Sequence, residues 1–258
     1  MIADTLRQLV KTFDRINQVF YVIGATARDI LFQQLADEKP MRKTRDLDFA
    51  VAIPDWSAFE VISNALVASG FRKDPGNKQR FLYGKMEVDV VPYGRVAKDD
   101  TVYWPPEETP AMLVKGFEEV LRAAVEVRVD DEFSFKMASL PGIFLMKLAA
   151  WLDRHTVTSK DAEDMACIMA CYFAANCSRN PHSEVYEWPD FDIGKAGAYW
   201  LGLDLSVLLT SEQRAYYRKC IEKEIKNPGG SALFDLKDVF GTSYEHLRSQ
   251  WECLVKAL

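Results

Sequence analysis

Histidine is nearly missing from this chain, with three in 258 residues, and none stands at a spacing that would complete a zinc site. No apolar run approaches the roughly 18 residues needed to cross a bilayer, which argues against a membrane protein. The opening MIADTLRQLVKTFDRINQ lacks the charged-then-apolar order of a secretory leader. Asp4, Lys11, Asp14 and Arg15 interrupt every apolar stretch, so a cytosolic protein is expected. Cysteine is confined to Cys167, Cys171, Cys177, Cys220 and Cys253; the odd count points to reduced thiols packed as small hydrophobes. There is no surplus of positive charge. A net charge of −6 disfavours broad nonspecific binding to nucleic acid and leaves room only for a local basic patch. Internal repeats and low-complexity tracts are also lacking.

What remains is an ordinary globular composition, 48% hydrophobic and 27% charged, in a chain long enough to bury a substantial core. Ile2, Leu6, Leu9, Phe13 and Ile16 recur at spacings of three and four, which predicts an amphipathic helix. VFYVIG then reads as a short strand ended by Gly24. ATARDILFQQLA reads as a helix with Ile30, Leu31 and Leu35 inward, stopped by Pro40. DLDFAVAI alternates Leu47, Phe49 and Val51 against Asp46, Asp48 and Ala50, a strand whose carboxylates share one face. DWSAFEVISNALVASG carries an Asp cap, the apolar residues Phe59, Ile62, Leu66 and Val67, and a terminal Gly70, the marks of a whole helix.

RFLYGKMEVDVVPYG predicts two adjacent strands, the second setting Met86, Val88 and Val90 against Glu87 and Asp89. The acidic, proline-rich DDTVYWPPEETP is loop, AAVEVRVDDEFSFKMAS a hairpin, and the pattern from Pro141 onward is helical. The expected fold is therefore α+β, with a mixed sheet flanked by helices over residues 1–140 and an all-helical part over 141–258.

Two carboxylates at i and i+2 of a strand project side by side and repel unless a cation lies between them. Oxygen ligands with no histidine or cysteine nearby favour Mg²⁺ or Mn²⁺ over zinc. A second strand offering Glu87 or Asp89 would complete three carboxylates, the apparatus of two-metal phosphoryl transfer. Gly24 at a strand-to-helix turn would let backbone N–H groups face a phosphate, with Thr26 adding a hydroxyl and Arg28 a charge. Lys39, Arg42, Lys43 and Arg45 lead into the first acidic pair, where a triphosphate would need them. Read alone, Asp46 and Asp48 would be the solvent side of an edge strand, and Arg28 with Asp29 an exposed helical charge pair of small value. The order of the three segments is what favours the metal reading.

That order, YVIGATARD, then TRDLDFAV, then MEVDVVPYG, resembles the polymerase β-type nucleotidyltransferase superfamily, with its glycine turn, spaced Asp-x-Asp and later acidic strand. MKLAAWLDRHTVTSKDAEDM is similar to the lysine and aspartate motifs of the AbiEii-type branch, known as toxin components of toxin-antitoxin systems. The resemblance implies that residues 1–140 form the nucleotidyltransferase domain. It implies Gly24 and Ala25 at the glycine turn, Asp46 and Asp48 as the metal pair, and Asp89, with Glu87 as its rival, as the third carboxylate. Lys147 would meet the triphosphate, and Asp161, or Asp164 in its place, would assist at the active site.

One departure stands out: Ala25 occupies a position where that superfamily commonly has Gly or Ser, so a hydroxyl contact is lost unless Thr26 supplies it. The implied activity moves a nucleoside monophosphate from an NTP to an acceptor hydroxyl with Mg²⁺ or Mn²⁺. The acceptor would be RNA, such as a tRNA end, or a protein, with an antitoxin as possible partner. The alternatives are a non-catalytic partner protein of the same fold and a modifier of small molecules such as antibiotics.

Overall fold

The computed structural model describes residues 2–36, 46–179, 183–236 and 242–258, Ala36 by its backbone only. The basic residues Lys39, Arg42, Lys43 and Arg45 lie outside the described residues. The chain groups into two compact units, one of Met1–Asp29 with Pro40–Ser139 and one of Ile30–Lys39 with Leu140–Leu258.

In the first unit, helix α1 (Ile2–Arg15) leads to strand β1 (Phe20–Ile23), which turns at once into α2 (Gly24–Ala36). Strand β2 (Asp46–Ala52), helix α3 (Trp56–Ala68) and strands β3 (Arg72–Lys73), β4 (Arg80–Tyr83) and β5 (Met86–Tyr93) follow. A separate small hairpin, β6 (Thr101–Tyr103) with β7 (Ala111–Leu113), precedes α4 (Phe117–Arg122) and the pair β8 (Val125–Val129) and β9 (Phe133–Met137). Seven strands form one mixed sheet in the order β3-β4-β5-β2-β1-β9-β8. Strand β2 runs parallel to β5 and antiparallel to β1, and β1 runs parallel to β9.

The alternation in β2 works as hydrophobic patterning requires. Leu47, Phe49 and Val51 are fully buried, together with Phe20, Val22, Val88 and Val90 from their neighbours. Phe13 of α1 sits on this apolar face, its ring centroid 4.8 Å from Phe20 and 5.3 Å from Phe49. Contacts of this kind add about 0.5–1.5 kcal/mol beyond the area buried. Helix α3 starts at Asp55, whose side chain accepts from the Ala58 amide; such a cap is worth about 1 kcal/mol. Its buried stripe is Phe59, Ile62, Ser63 and Leu66. Val67, expected inward, is exposed because it sits one residue, about 100° of turn, off that stripe. Leu35 of α2 is likewise exposed, while Leu31 and Phe32 carry the burial one turn earlier.

The second unit is built from α5 (Leu140–Arg154), α6 (Lys160–Asn176), a 3₁₀ turn (Ser183–Glu187), α7 (Ile193–Leu208), α8 (Ser211–Ile225) and α9 (Tyr244–Ala257). Helix α7 packs against α5, α6 and α9. Its Trp200 is fully buried and stacks on Phe173 at 4.6 Å. Gly202 permits the close approach of α9, since a Cβ there would lie 2.4 Å from the Leu254 carbonyl oxygen. No helix among the described residues is long and apolar enough to cross a membrane.

Candidate active site

Register decides which side chains meet. In the parallel pairing of β2 with β5, Asp46 lies opposite Glu87 and Asp48 opposite Asp89. Paired residues on neighbouring strands point to the same face. All four carboxylates therefore share the face opposite the Phe13 cluster, at the N-terminal ends of the two strands. Of Glu87 and Asp89, Asp89 is the one that lies opposite Asp48; it is buried and sits two residues further along the strand.

The glycine turn supports this row from beside it. Ile23, the last residue of β1, pairs with Asp48, and the chain then enters α2 through Gly24 at φ +72. This left-handed conformation suits glycine. A Cβ on Gly24 would stand 2.2 Å from Asp48 Oδ2, so the Asp48 carboxylate packs directly on the bare Cα at the start of the helix. Ala25 next to it is buried.

The structure gives other work to two residues assigned to the nucleotide from sequence. The Thr26 hydroxyl donates its one proton to the Asp46 carbonyl at 2.9 Å, pinning helix α2 to the first residue of β2. Arg28 is 2% exposed and pairs with Asp29, itself 11% exposed, through Nε at 2.9 Å and a terminal nitrogen at 2.6 Å. The pair is thus buried and not the exposed helical pair of the sequence reading. A guanidinium this buried demands a partner.

A cation to which the sequence reading gave no role of its own meets the acidic row from its β4 side. Arg80 on β4 pairs in register with Asp89 and reaches both its carboxylate oxygens, Nε to Oδ1 at 2.7 Å and a terminal nitrogen to Oδ2 at 2.8 Å. Its remaining terminal nitrogen pairs with Glu87. The hydrogen bonds that Arg80 donates to Asp89 raise the guanidinium pKa, opposed by burial and aided by the charges of Asp89, Glu87 and Asp46. The only sequence signal was a cation preceding an acidic strand.

This arrangement bears on the metal ion that the resemblance implies. Asp46 and Asp48 offer hard oxygen donors suited to Mg²⁺ or Mn²⁺. Asp89 offers the same chemistry, but each of its oxygens accepts from Arg80. Among the described residues, no three histidine, cysteine or acidic side chains group closely enough to hold an ion.

The remaining candidates lie in the second unit. Lys147 Nζ is 3.3 Å from Asp161 Oδ1 and 2.8 Å from Asp164 Oδ2. Arg154, two turns along α5, binds Asp161 through Nε at 2.7 Å and a terminal nitrogen at 2.8 Å. Asp161 is fully buried. Burial pushes its carboxyl up, but the Arg154 hydrogen bonds and the charges of Lys147 and Arg154 outweigh that and hold it below the usual aspartate value. The four side chains bind α5 to α6 across their connecting turn.

A cavity on the carboxylate face lies at the other end of the strands. It measures about 460 Å³ and is lined by Tyr21, Ala52, Tyr93, Arg95, Glu118 and Arg122, among others. Four residues of β2, about 13 Å, separate Asp48 from Ala52. Burial, with the neighbouring Tyr21 and Glu118, pushes the Tyr93 hydroxyl well above its ordinary value, so it stays a neutral donor and acceptor there.

No family model and no curated protein matches this chain. Among solved structures it is similar to the antibiotic-resistance factor ANT(2'')-Ia. The solution structure, which reveals substrate-regulated conformation dynamics, is 12% identical, covers 68% of this chain and 83% of its own, and gives a TM-score of 0.40. The crystal structure in complex with adenylyl-2''-tobramycin is 13% identical, covers 75% and 95%, and gives a TM-score of 0.42. Likeness at this level carries no conclusion about activity, which must rest on the site itself.

Proposed function

We propose that this chain is a divalent-metal-dependent nucleotidyltransferase, which moves a nucleoside monophosphate from an NTP to an acceptor hydroxyl and releases pyrophosphate. One observation carries the reading: the β2–β5 register gathers Asp46, Asp48, Glu87 and Asp89 on one sheet face, with Gly24 and the start of α2 packed against Asp48. Carboxylates so close repel unless a cation lies among them, and on this face Arg80 already meets Asp89 and Glu87. Bound there, Mg²⁺ or Mn²⁺ would polarise the transferring phosphoryl group and neutralise charge at the leaving oxygen.

The residues themselves have distinct parts in this scheme. Asp46 and Asp48 hold the cation and fix its place on the sheet. Backbone N–H groups at the start of α2 face the triphosphate, which the helix dipole favours. Arg80 sets the Asp89 and Glu87 carboxylates. Thr26 and the Arg28–Asp29 pair act as positioning residues, locking α2 against β2. Lys147, Asp161 and Asp164 form a buried ion network within the second unit that the half-exposed Arg154 joins; Lys147 is its member suited to meeting a phosphate, as the resemblance implies.

The acceptor classes that fit are RNA, such as a tRNA end, a protein side chain, and a hydroxyl-bearing small molecule such as an antibiotic. The toxin role, with an antitoxin protein as partner, belongs to the first two. Incubating the protein and Mg²⁺ with each α-labelled NTP, and with total RNA, protein extract or a panel of aminoglycosides in turn, separates them. The expected result is label on one class, abolished in Asp46→Asn and Asp48→Asn. Calorimetry showing no NTP binding, together with no labelling of any class, would favour the alternative of a non-catalytic protein of this fold, for which the engaged Asp89 is the supporting observation.

A further inference from the structure

The seven-stranded sheet ends on β8, which is hydrogen-bonded to β9 on one side and, among the described residues, to no strand on the other. Such an edge presents a row of N–H and C=O groups to a further strand, and proteins commonly blunt it with proline, a bulge or repelling charge. The five residues of β8, VEVRV, contain no proline and set β-branched valines at alternate positions, as pairing strands do. Val125, Val127 and Val129 share a face with the buried Phe135 and Met137 of β9. Glu126 and Arg128 stand on the other face, opposite Lys136 and Ser134. None of the five is buried, and Val125, Glu126 and Arg128 are exposed.

The order of the two charges is self-complementary. Two copies of β8 laid antiparallel about a two-fold axis at Val127 set Glu126 of each opposite Arg128 of the other, Val125 opposite Val129, and Val127 opposite itself. The smallest slip that keeps the faces matched is two residues, and it would set Glu126 against Glu126 or Arg128 against Arg128, which destabilises a strand pair. Within the sheet Lys136 already stands opposite Glu126, so in the centred register this carboxylate lies between two cations. The present partners yield at small cost: Arg128 meets Asp131 at 3.3 Å in an exposed pair, and Ser134 donates to Glu126 at an exposed position. We propose that β8 is a self-recognition edge, through which two copies of this chain pair antiparallel, centred on Val127, and join their two sheets into one. In the strand order β2-β1-β9-β8 this edge is three strands away from Asp46 and Asp48, so it works whatever the acidic row binds.

Sedimentation equilibrium on the full chain, from micromolar to near-millimolar concentration, tests this. Wild type is expected to show a reversible monomer–dimer equilibrium. Glu126→Arg and Arg128→Glu each turn both cross-strand pairs into like charges, and each should weaken association by about tenfold or more. The double reversal restores opposite charges and should associate more tightly than either single variant. Register is read separately by cysteine substitution. Val127→Cys sets two thiols across the axis, where paired strands hold their Cα atoms about 4.5–5.5 Å apart, within reach of a disulfide. Under mild oxidation it should form a covalent dimer well beyond the level of wild type, whose own thiols are unchanged, and Val125→Cys, which faces Val129 of the second copy, should not. A wild type that stays monomeric throughout would overturn the proposal and leave the edge to a strand of a different protein. So would a dimer that both charge reversals leave intact, one that the double reversal fails to strengthen over the singles, or crosslinking as ready from position 125 as from 127. Should a charge variant fail to fold, wild-type association and the Val127→Cys crosslink decide.

Discussion

Gly24 shows how much one missing atom can decide. Alanine at this position would need a left-handed backbone, which costs about 1–2 kcal/mol for a residue with a Cβ, and its methyl would collide with Asp48 Oδ2. Gly24→Ala is therefore expected to lower the melting temperature by roughly 2–8 °C in a chain of this size. It should also weaken Mn²⁺ binding by displacing Asp48. Thermal unfolding and calorimetry on the same sample check both, and an unchanged melting curve would remove the close approach from the account. Thr26→Val makes a milder case. It leaves the Asp46 carbonyl without its side-chain donor, a loss of about 1 kcal/mol, read in the same unfolding experiment. The glycine was visible in the sequence as a turn, and Thr26 as a hydroxyl near it. What the hydroxyl bonds to was not, because its acceptor lies 20 residues along the chain.

At the scale of elements, the α5–α6 hairpin is closed by an ion network and not by apolar packing alone. Lys147 and Arg154 are seven residues apart on one helix, Asp161 and Asp164 three apart on the next, so each pair lies on one face. Asp161 titrates below its ordinary 3.8 in the folded protein. The folded state therefore binds that proton less readily than the unfolded chain does. The stabilisation is complete above pH about 3.8 and disappears as the pH falls through the lower, folded value. Asp161→Asn should cost about 1.5–3 kcal/mol near neutral pH, the range for hydrogen bonds to charged groups. The gap between variant and wild-type melting temperatures should narrow below about pH 4. A gap that stays constant down to about pH 2 would mean the ionised form contributes nothing.

The same hairpin illustrates what could be read in advance. Helix α6 was predicted from its periodicity, and Lys147, Asp161 and Asp164 were singled out by resemblance. Arg154 went unremarked as a partner, since nothing in a linear pattern says which helix face a flexible cation will meet. In β4 and β5 the limits were similar. Both strands and the alternation of Glu87 and Asp89 were legible, whereas the pairing of Arg80 with Asp89 depends on the hairpin register, which shifts every side chain to the other face if it slips by one.

For the whole molecule, the division into compact units does not follow the chain in a single cut. Ile30–Lys39 groups with Leu140–Leu258, and within that stretch Leu31 and Phe32 are buried. A fragment covering residues 140–258 alone lacks those two side chains, each worth about 1.5–3 kcal/mol of burial. It is expected to bind a hydrophobic dye and to melt less cooperatively than the full chain. A sharp, dye-free transition would show that the second unit folds without its share of α2. The expected division at residue 140 came from the change of periodicity. A helix whose two halves belong to different units leaves no such mark, because its periodicity is unbroken across the boundary.

By itself the sequence determined the elements: helices where apolar residues recur every three or four positions, and strands where they alternate. It also determined that Asp46 with Asp48, and Glu87 with Asp89, each share a strand face, because a period of two is a local property of the extended chain. Only the tertiary structure decided that the two acidic pairs lie side by side, that Asp48 rests on the bare Cα of Gly24, and that Arg80 closes on Asp89. Those outcomes depend on which strands neighbour one another and in what register. Crossovers and the packing of Phe13, Phe20 and Phe49 beneath the sheet settle that over distances no local pattern spans.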